Sequence, residues 1–307
     1  MKYVFGPVFS RRLGLSLGVD LVPHKVCSMD CLYCEVGKTT EKTLKRAEYV
    51  PFDAVKAELE EFLSYKPDID YITFSGYGEP TLFSRLGELV NYIKENYPYK
   101  LALLTNGSLL HRNDVLEEIK KIDVVLPSLD AITQEVFEKI NRPVSGLTTK
   151  IVIEGIEKLI KMETSEVWIE TLFVRGMNDT EEEIEKIGGA IHRLKPHRWQ
   201  LNTVVRPPAY DVRGLSFEEL ERIKEKVGYP ATEIIAHSKA KRKKMPILDI
   251  KKEIYNLVTR RPCPVEEIAS ALGILEEEAE RAVEELLQEK KVEEIFFGST
   301  PYIKGKV

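Results

Sequence analysis

The chain has 307 residues, long enough for one large core or for a large domain with a small one beside it. Charged residues make up 31% of it, the formal net charge is −5, and no segment approaches the roughly 18 apolar residues of a membrane span. The N-terminus MKYVFGPVFSRRLG also lacks a signal-length apolar run, so the expectation is a soluble cytoplasmic protein whose thiols stay reduced and whose clustered cysteines serve metal binding or catalysis.

The first candidate strand is Gly18 to Val22, and directly after it the chain reads PHKVCSMDCLYCEVG. This stretch places Cys27, Cys31 and Cys34, three of four cysteines, within eight residues. Three clustered thiols pair badly as disulfides because one is always left over, which favours a shared metal. One form is structural zinc with His24 or a distant group as fourth ligand. The other is an iron-sulfur cluster on three thiolates; such clusters normally take four cysteines, so an open iron implies that something else binds there.

Further along, VPFDAVKAELEEFL puts Val55, Leu59, Phe62 and Leu63 on one helical stripe. Candidate strands follow at Asp70 to Ser75, Lys100 to Thr105, Val124 to Ser128, Val167 to Val174 and Trp199 to Val205, with helical segments between them. Helices of that length between strands imply parallel pairing through right-handed crossovers. The predicted fold class is α/β, a partial (βα)6 parallel barrel, with a doubly wound open sheet as the alternative. Unusual stretches follow the strands: the cysteines, GYGEP, TNGS, SLDA, RGMND and NTVVRPP. Active sites of parallel α/β folds form at the carboxyl ends of the strands, so all six are expected to face one cavity.

Near His237 the pattern changes to a basic stretch, KAKRKKMP, and then to helix, helix, turn, helix and the hairpin VEEIFFGSTPYI. Ala279, Val283, Leu286 and Leu287 share a helical stripe and Gly273 sits in the preceding turn, as in a winged helix. The predicted domains are 1–237, a basic linker 238–247 and a winged helix 248–307. The last holds 13 acidic and 9 basic residues, and its candidate recognition helix carries Glu276, Glu277, Glu278, Glu280, Glu284 and Glu285. Phosphate contacts dominate nucleic-acid affinity, so the reading is a protein-facing or substrate-capping module rather than a reader of duplex DNA.

Cys27-x-x-x-Cys31-x-Tyr33-Cys34, with GEP after the next strand, resembles the radical S-adenosylmethionine (SAM) superfamily over roughly residues 3 to 237. The resemblance implies that the three cysteines hold a four-iron four-sulfur cluster whose fourth iron is chelated by the amino and carboxylate groups of SAM. By the same resemblance Gly76, Gly78 and Glu79 serve the SAM ammonium, and Ser128 and Asp130 the ribose. Asp130 could equally cap the helix starting near Thr133. Asn202 and Arg206 are expected on the adenine or substrate side of the cavity, whereas Asn106 and Asn178, each beside a glycine, read as turn residues without a ligand role. The implied chemistry is one-electron reductive cleavage of the sulfonium to a 5'-deoxyadenosyl radical, with a low-potential ferredoxin or flavodoxin as donor. Within the superfamily FGPVFSRRLGLSLGVDL, PSLDA...NRP and LNTVVRPP most resemble proteins related to the wyosine-base synthase, which acts on tRNA, although the cysteines for that enzyme's second cluster are missing. The remaining thiol, Cys263 between Pro262 and Pro264, reads as a packed side chain. Three classes follow: a radical enzyme modifying a macromolecule, with RNA ahead of peptide; an activase installing a glycyl radical on a partner enzyme; and a zinc-stabilised regulator.

Overall fold

The computed structural model describes residues 1–236 and 249–306; the predicted linker 238–247 lies outside the described residues. The chain opens with β1 (Val4–Ser10) and β2 (Gly14–Val19), an antiparallel pair. The cysteine loop follows, carrying the two-residue strands β3 (Val26–Cys27) and β4 (Glu41–Lys42). Strands and helices then alternate: α1 (Phe52–Leu63), β5 (Tyr71–Phe74), α2 (Leu86–Asn96), β6 (Lys100–Thr105), α3 (Asn113–Ile119) and β7 (Val124–Pro127). Two helices, α4 (Gln134–Asn141) and α5 (Thr149–Lys161), precede β8 (Glu166–Phe173), α6 (Glu181–Leu194), β9 (Arg198–Thr203), α7 (Phe217–Val227) and β10 (Thr232–Ile234).

Eight of these strands form one sheet in the order β1-β2-β5-β6-β7-β8-β9-β10, parallel throughout except for β1. This is a mixed α/β fold with a largely parallel sheet. Continuous apolar runs form its middle strands because both faces are covered: Leu101, Ala102, Leu103 and Val125 are fully buried. On α1, Val55, Leu59 and Leu63 pack into the core, and each buried aliphatic side chain contributes about 2 kcal/mol. Helix ends are specified locally. Ser216 and Glu219 form a capping box at the start of α7, and Gly228 ends it at φ 64°.

The first parallel strand is Gly14–Val19, not Gly18 to Val22. Ser16 to Val19 pair with Tyr71 to Phe74, and Asp20 leaves the ladder to meet a distant arginine. Two strands had no clear sequence signal. β1 is an edge strand whose register slips between Phe5 and Val8, which breaks the alternation, and β10 has three residues.

The C-terminal residues form α8 (Ile250–Arg260), α9 (Val265–Leu272), α10 (Glu276–Gln288) and the hairpin β11 (Val292–Phe297) and β12 (Thr300–Gly305). They enclose their own core of Ile254, Leu257, Ile268, Leu272, Val283 and Ile303, with Cys263 fully buried in it. This unit packs on β1 through Val8. It is tied to the sheet by a buried Arg260–Asp20 ion pair of 2.6 Å and by Tyr302, whose hydroxyl donates to the Val205 carbonyl at 2.9 Å.

Candidate active site

The strand-end loops surround a cavity of about 380 Å³, within the range of small-molecule sites. Cys27, Cys31 and Cys34 line it, with Gly76, Gly78 and Glu79 from the loop after β5, and Ser128, Asn202 and Arg206 from later strand ends. Leu257, Arg260 and Arg261 of the C-terminal unit complete the wall. Five of the six expected stretches therefore contribute. RGMND does not: its Asn178 is buried, accepts from Val174 N and donates to the carbonyls of Asp130 and Leu172, so it braces two loops from behind. β8 reaches the cavity through Glu170 and Leu172 instead.

Each of the three sulfurs receives an N–H donor. Lys25 Nζ lies 3.0 Å from Cys34 Sγ, Asn106 Nδ2 lies 3.4 Å from Cys27 Sγ, and Asn141 Nδ2 lies 3.5 Å from Cys31 Sγ. Donors aimed at sulfur stabilise a thiolate and tune an iron-sulfur centre. Burial pushes the Cys27 thiol up to about 11 against the pull of Lys25, and burial raises Cys31 as well. Burial alone would depress the Lys25 ammonium, but the neighbouring cysteines outweigh it and raise it. Among the described residues no three His, Cys, Asp or Glu side chains gather tightly enough to hold a single metal ion. The donor set, three thiols on one loop, each with a side-chain N–H donor, fits a thiolate-held cluster. His24 packs edge-on against Tyr77 and does not line the cavity.

The glycine loop is fixed from beneath. Gly76 has φ +113°, and a Cβ there would fall 1.7 Å from Asp20 Oδ1, which also accepts from Tyr77 N at 3.2 Å. Glu79 is buried and accepts four hydrogen bonds, from Thr81 N, Thr81 Oγ1, Thr105 Oγ1 and Asn106 N. Burial raises its carboxyl despite these donors. Its oxygens thus join two strand-end loops: Oε1 takes three of the bonds, and Oε2 takes only the one from Asn106 N.

Ser128 lines the cavity but Asp130 does not. Asp130 is buried and accepts from Tyr33 Oη at 2.5 Å, Asn141 Nδ2 at 2.7 Å and Leu172 N at 2.9 Å, which anchors the cysteine loop to β8. Nor does it cap α4: the cap position of that helix is Thr133, and the amides just before the helix, Ile132 N and Thr133 N, donate to Glu183 from α6. Asn202 donates to Glu170 Oε1 at 2.7 Å, and Arg12 Nη1 donates to Glu170 Oε2 at 2.5 Å, giving a polar chain along the wall. Arg206 is 5% exposed and donates to Glu35 at 2.8 Å and to Glu267, so it links the cysteine loop to α9.

Two wall residues, Glu170 and Arg12, had no expected site role in the sequence, and a third, Asn106, only that of a turn. Asn106 has more than a turn role, because its side chain spans Cys27 and Ser28. Glu170 left a signal, a lone charge within the apolar strand VWIETLF, and Arg12 is its partner.

The Radical SAM superfamily profile matches residues 21–187. A protein named GTPase Obg from Brachyspira hyodysenteriae is 33% identical over 98% of this chain and 45% of its own length. A UPF0026 protein of Helicobacter pylori is 34% identical over 95% of this chain and 94% of its own. Among solved structures, SuiB from Streptococcus suis bound to S-adenosylmethionine aligns with a TM-score of 0.52 at 16% identity, covering 69% of this chain and 46% of SuiB. The chain thus spans less than half of the Brachyspira relative and of SuiB.

Proposed function

The chain belongs to the radical SAM superfamily, an enzyme family that uses a four-iron four-sulfur cluster and SAM, and from that premise we propose that Cys27, Cys31 and Cys34 hold the cluster and that the cavity beside them is the reaction chamber of a partial barrel. The observation that carries this reading is the side-chain N–H donor on each of the three sulfurs around a cavity of small-molecule size. When bound, the cluster and SAM supply one-electron cleavage of the sulfonium to a 5'-deoxyadenosyl radical that takes hydrogen from substrate.

The chain's own residues do the positioning. Lys25, Asn106 and Asn141 orient the thiolates and offset their charge. Gly76 and Gly78 bring backbone close to the cluster side of the cavity, where the SAM ammonium is expected. Glu79 fixes that loop against Asn106, and its Oε2, with a single hydrogen bond, keeps an acceptor for the SAM ammonium. Ser128, Asn202 and Glu170 offer hydroxyl, amide and carboxylate groups for ribose and adenine. Arg12 holds Glu170 in place.

The C-terminal three helices and hairpin are read as a winged helix acting as a substrate cap, because Leu257, Arg260 and Arg261 complete the cavity wall. A closed wall keeps water from a radical. The substrate is read as a macromolecule, RNA ahead of peptide, and the electron donor as a low-potential ferredoxin or flavodoxin. Anaerobic reconstitution tests the centre. Close to four irons per chain, 5'-deoxyadenosine from SAM under reduction, loss of both on Cys27→Ala, Cys31→Ala or Cys34→Ala, and retention on Cys263→Ala are expected. Tight zinc without SAM cleavage overturns the reading.

A further inference from the structure

The cavity wall carries a charge that the reaction proposed above does not use. Five arginines line it; Arg12 and Arg260 have their own carboxylates, while Arg11, Arg206 and Arg261 have two between them, Glu35 and Glu267. Arg206 binds both carboxylates. Arg261 stands 3.6 Å from Glu267. Arg11 has no carboxylate within ion-pair distance among the described residues; its Nη1 donates to the carbonyls of Ala236 at 2.8 Å and Ile235 at 3.5 Å. Burial, and next the like charge of Arg206, bring the Arg11 guanidinium down to about 10. It is still a cation at neutral pH, and among the described residues its Nε and Nη2 make no hydrogen bond.

A half-buried guanidinium with open donors on a cavity wall is matched by an oxyanion. Arg11 presents its Nε and Nη2 as a planar fork for two oxygens, and Arg261, which shares Glu267 with Arg206 at a long 3.6 Å, keeps donors for a third. A carboxylate has two oxygens and fills the one fork, whereas a phosphate monoester presents three terminal oxygens and can engage both arginines. Arg12 and Arg260 do not compete, since Glu170 and Asp20 neutralise them.

We propose that Arg11 and Arg261, which share the cavity wall with the paired Arg206, form a subsite for a phosphate group of the substrate. The proposal rests on the reading of this cavity as the reaction chamber and narrows the substrate to a phosphorylated molecule, whether a nucleotide within RNA or a small phosphate ester.

Equilibrium dialysis of labelled inorganic phosphate against reconstituted full-length protein, at constant ionic strength set with chloride, tests it. One saturable site is expected, weakened about tenfold or more by Arg11→Gln and by Arg261→Gln, unchanged by exposed Arg193→Gln, and undisturbed by saturating SAM. Adenosine 5'-monophosphate and a ten-nucleotide oligoadenylate identify the source, and the tighter Arg11-dependent binder marks a free ester or an RNA respectively. Three results overturn the subsite: no saturable phosphate site, equal binding by acetate, or competition by SAM, which would give the arginines to the SAM carboxylate. Iron content and SAM cleavage on the same preparation keep the two readings apart. A protein that loads iron and cleaves SAM but ignores phosphate defeats the subsite alone; one that binds phosphate without iron defeats the catalytic reading.

Discussion

At the scale of single residues, the sites that matter are those where backbone or carboxylate has no alternative. Gly76 combines φ +113° with a hypothetical Cβ 1.7 Å from Asp20 Oδ1. Gly76→Ala is therefore expected to destabilise the apo protein by about 2 kcal/mol or more in urea unfolding, through strain and displacement of Asp20. Gly189, inside α6 with nothing within 4 Å of its hypothetical Cβ, is the contrast: Gly189→Ala is expected to stabilise by about 0.5 to 1 kcal/mol. If both variants unfold alike, the glycine loop is not held from beneath. Glu79→Ala removes the acceptor for two backbone amides and two hydroxyls. Each stranded buried donor costs about 1 to 3 kcal/mol, so a loss of at least about 3 kcal/mol is expected even without SAM. Unchanged apo stability would leave the carboxylate with ligand duty alone. The sequence pointed to Glu79 but not to this role, because GYGEP does not reveal that Thr105 and Asn106, one strand away, supply half its donors.

At the scale of elements, Arg260 is the charged side chain through which α8 docks on the sheet. Arg260 donates to Asp20 through Nε at 2.8 Å, stacks on Phe5 with 4.1 Å to the ring centre, and is 7% exposed. Burial pushes the Asp20 carboxyl up to about 6 in spite of Arg260, so at neutral pH the pair carries a desolvation cost. Arg260→Ala strands that carboxylate and is expected to cost about 3 to 5 kcal/mol, whereas Asp20→Asn combined with Arg260→Leu should recover most of it. The pH dependence has a definite sign. A carboxyl raised from 3.8 to about 6 favours the folded state fully below pH 4 and loses that contribution as pH rises through 6. Wild-type stability relative to the double variant should accordingly fall between pH 4 and 6 in urea titrations; a rise would mean that the pair gains more from attraction than it loses in burial. None of this was legible in the chain, since residues 20 and 260 lie in different elements and α8 reads simply as an amphipathic helix. The parallel strands were legible because burial on both faces leaves uninterrupted apolar runs, while β1 and β10 were hidden by a bulge and by brevity.

At the scale of the whole molecule, the order of loops along the sheet was readable because each strand end carries its own unusual stretch, but the closure of the cavity by the C-terminal unit was not. Charge in the sequence had suggested a unit facing protein or substrate rather than duplex DNA. What charge could not reveal is that Arg206 meets Glu35 of the cysteine loop and Glu267 of α9 together, so that one cation ties the candidate cluster loop to its cap. This makes truncation after Ala236 an informative experiment. The three cysteines and their donors Lys25, Asn106 and Asn141 all remain, so iron per chain should be unchanged. The wall made by Leu257, Arg260 and Arg261 disappears, which admits water and leaves any radical without a closed chamber. Formation of 5'-deoxyadenosine without substrate should persist or rise, while phosphate binding should weaken because Arg261 is gone. If iron content instead collapses in the truncated chain, the Glu267–Arg206–Glu35 link is needed to fold the cysteine loop, and the C-terminal unit is part of the centre rather than its cap.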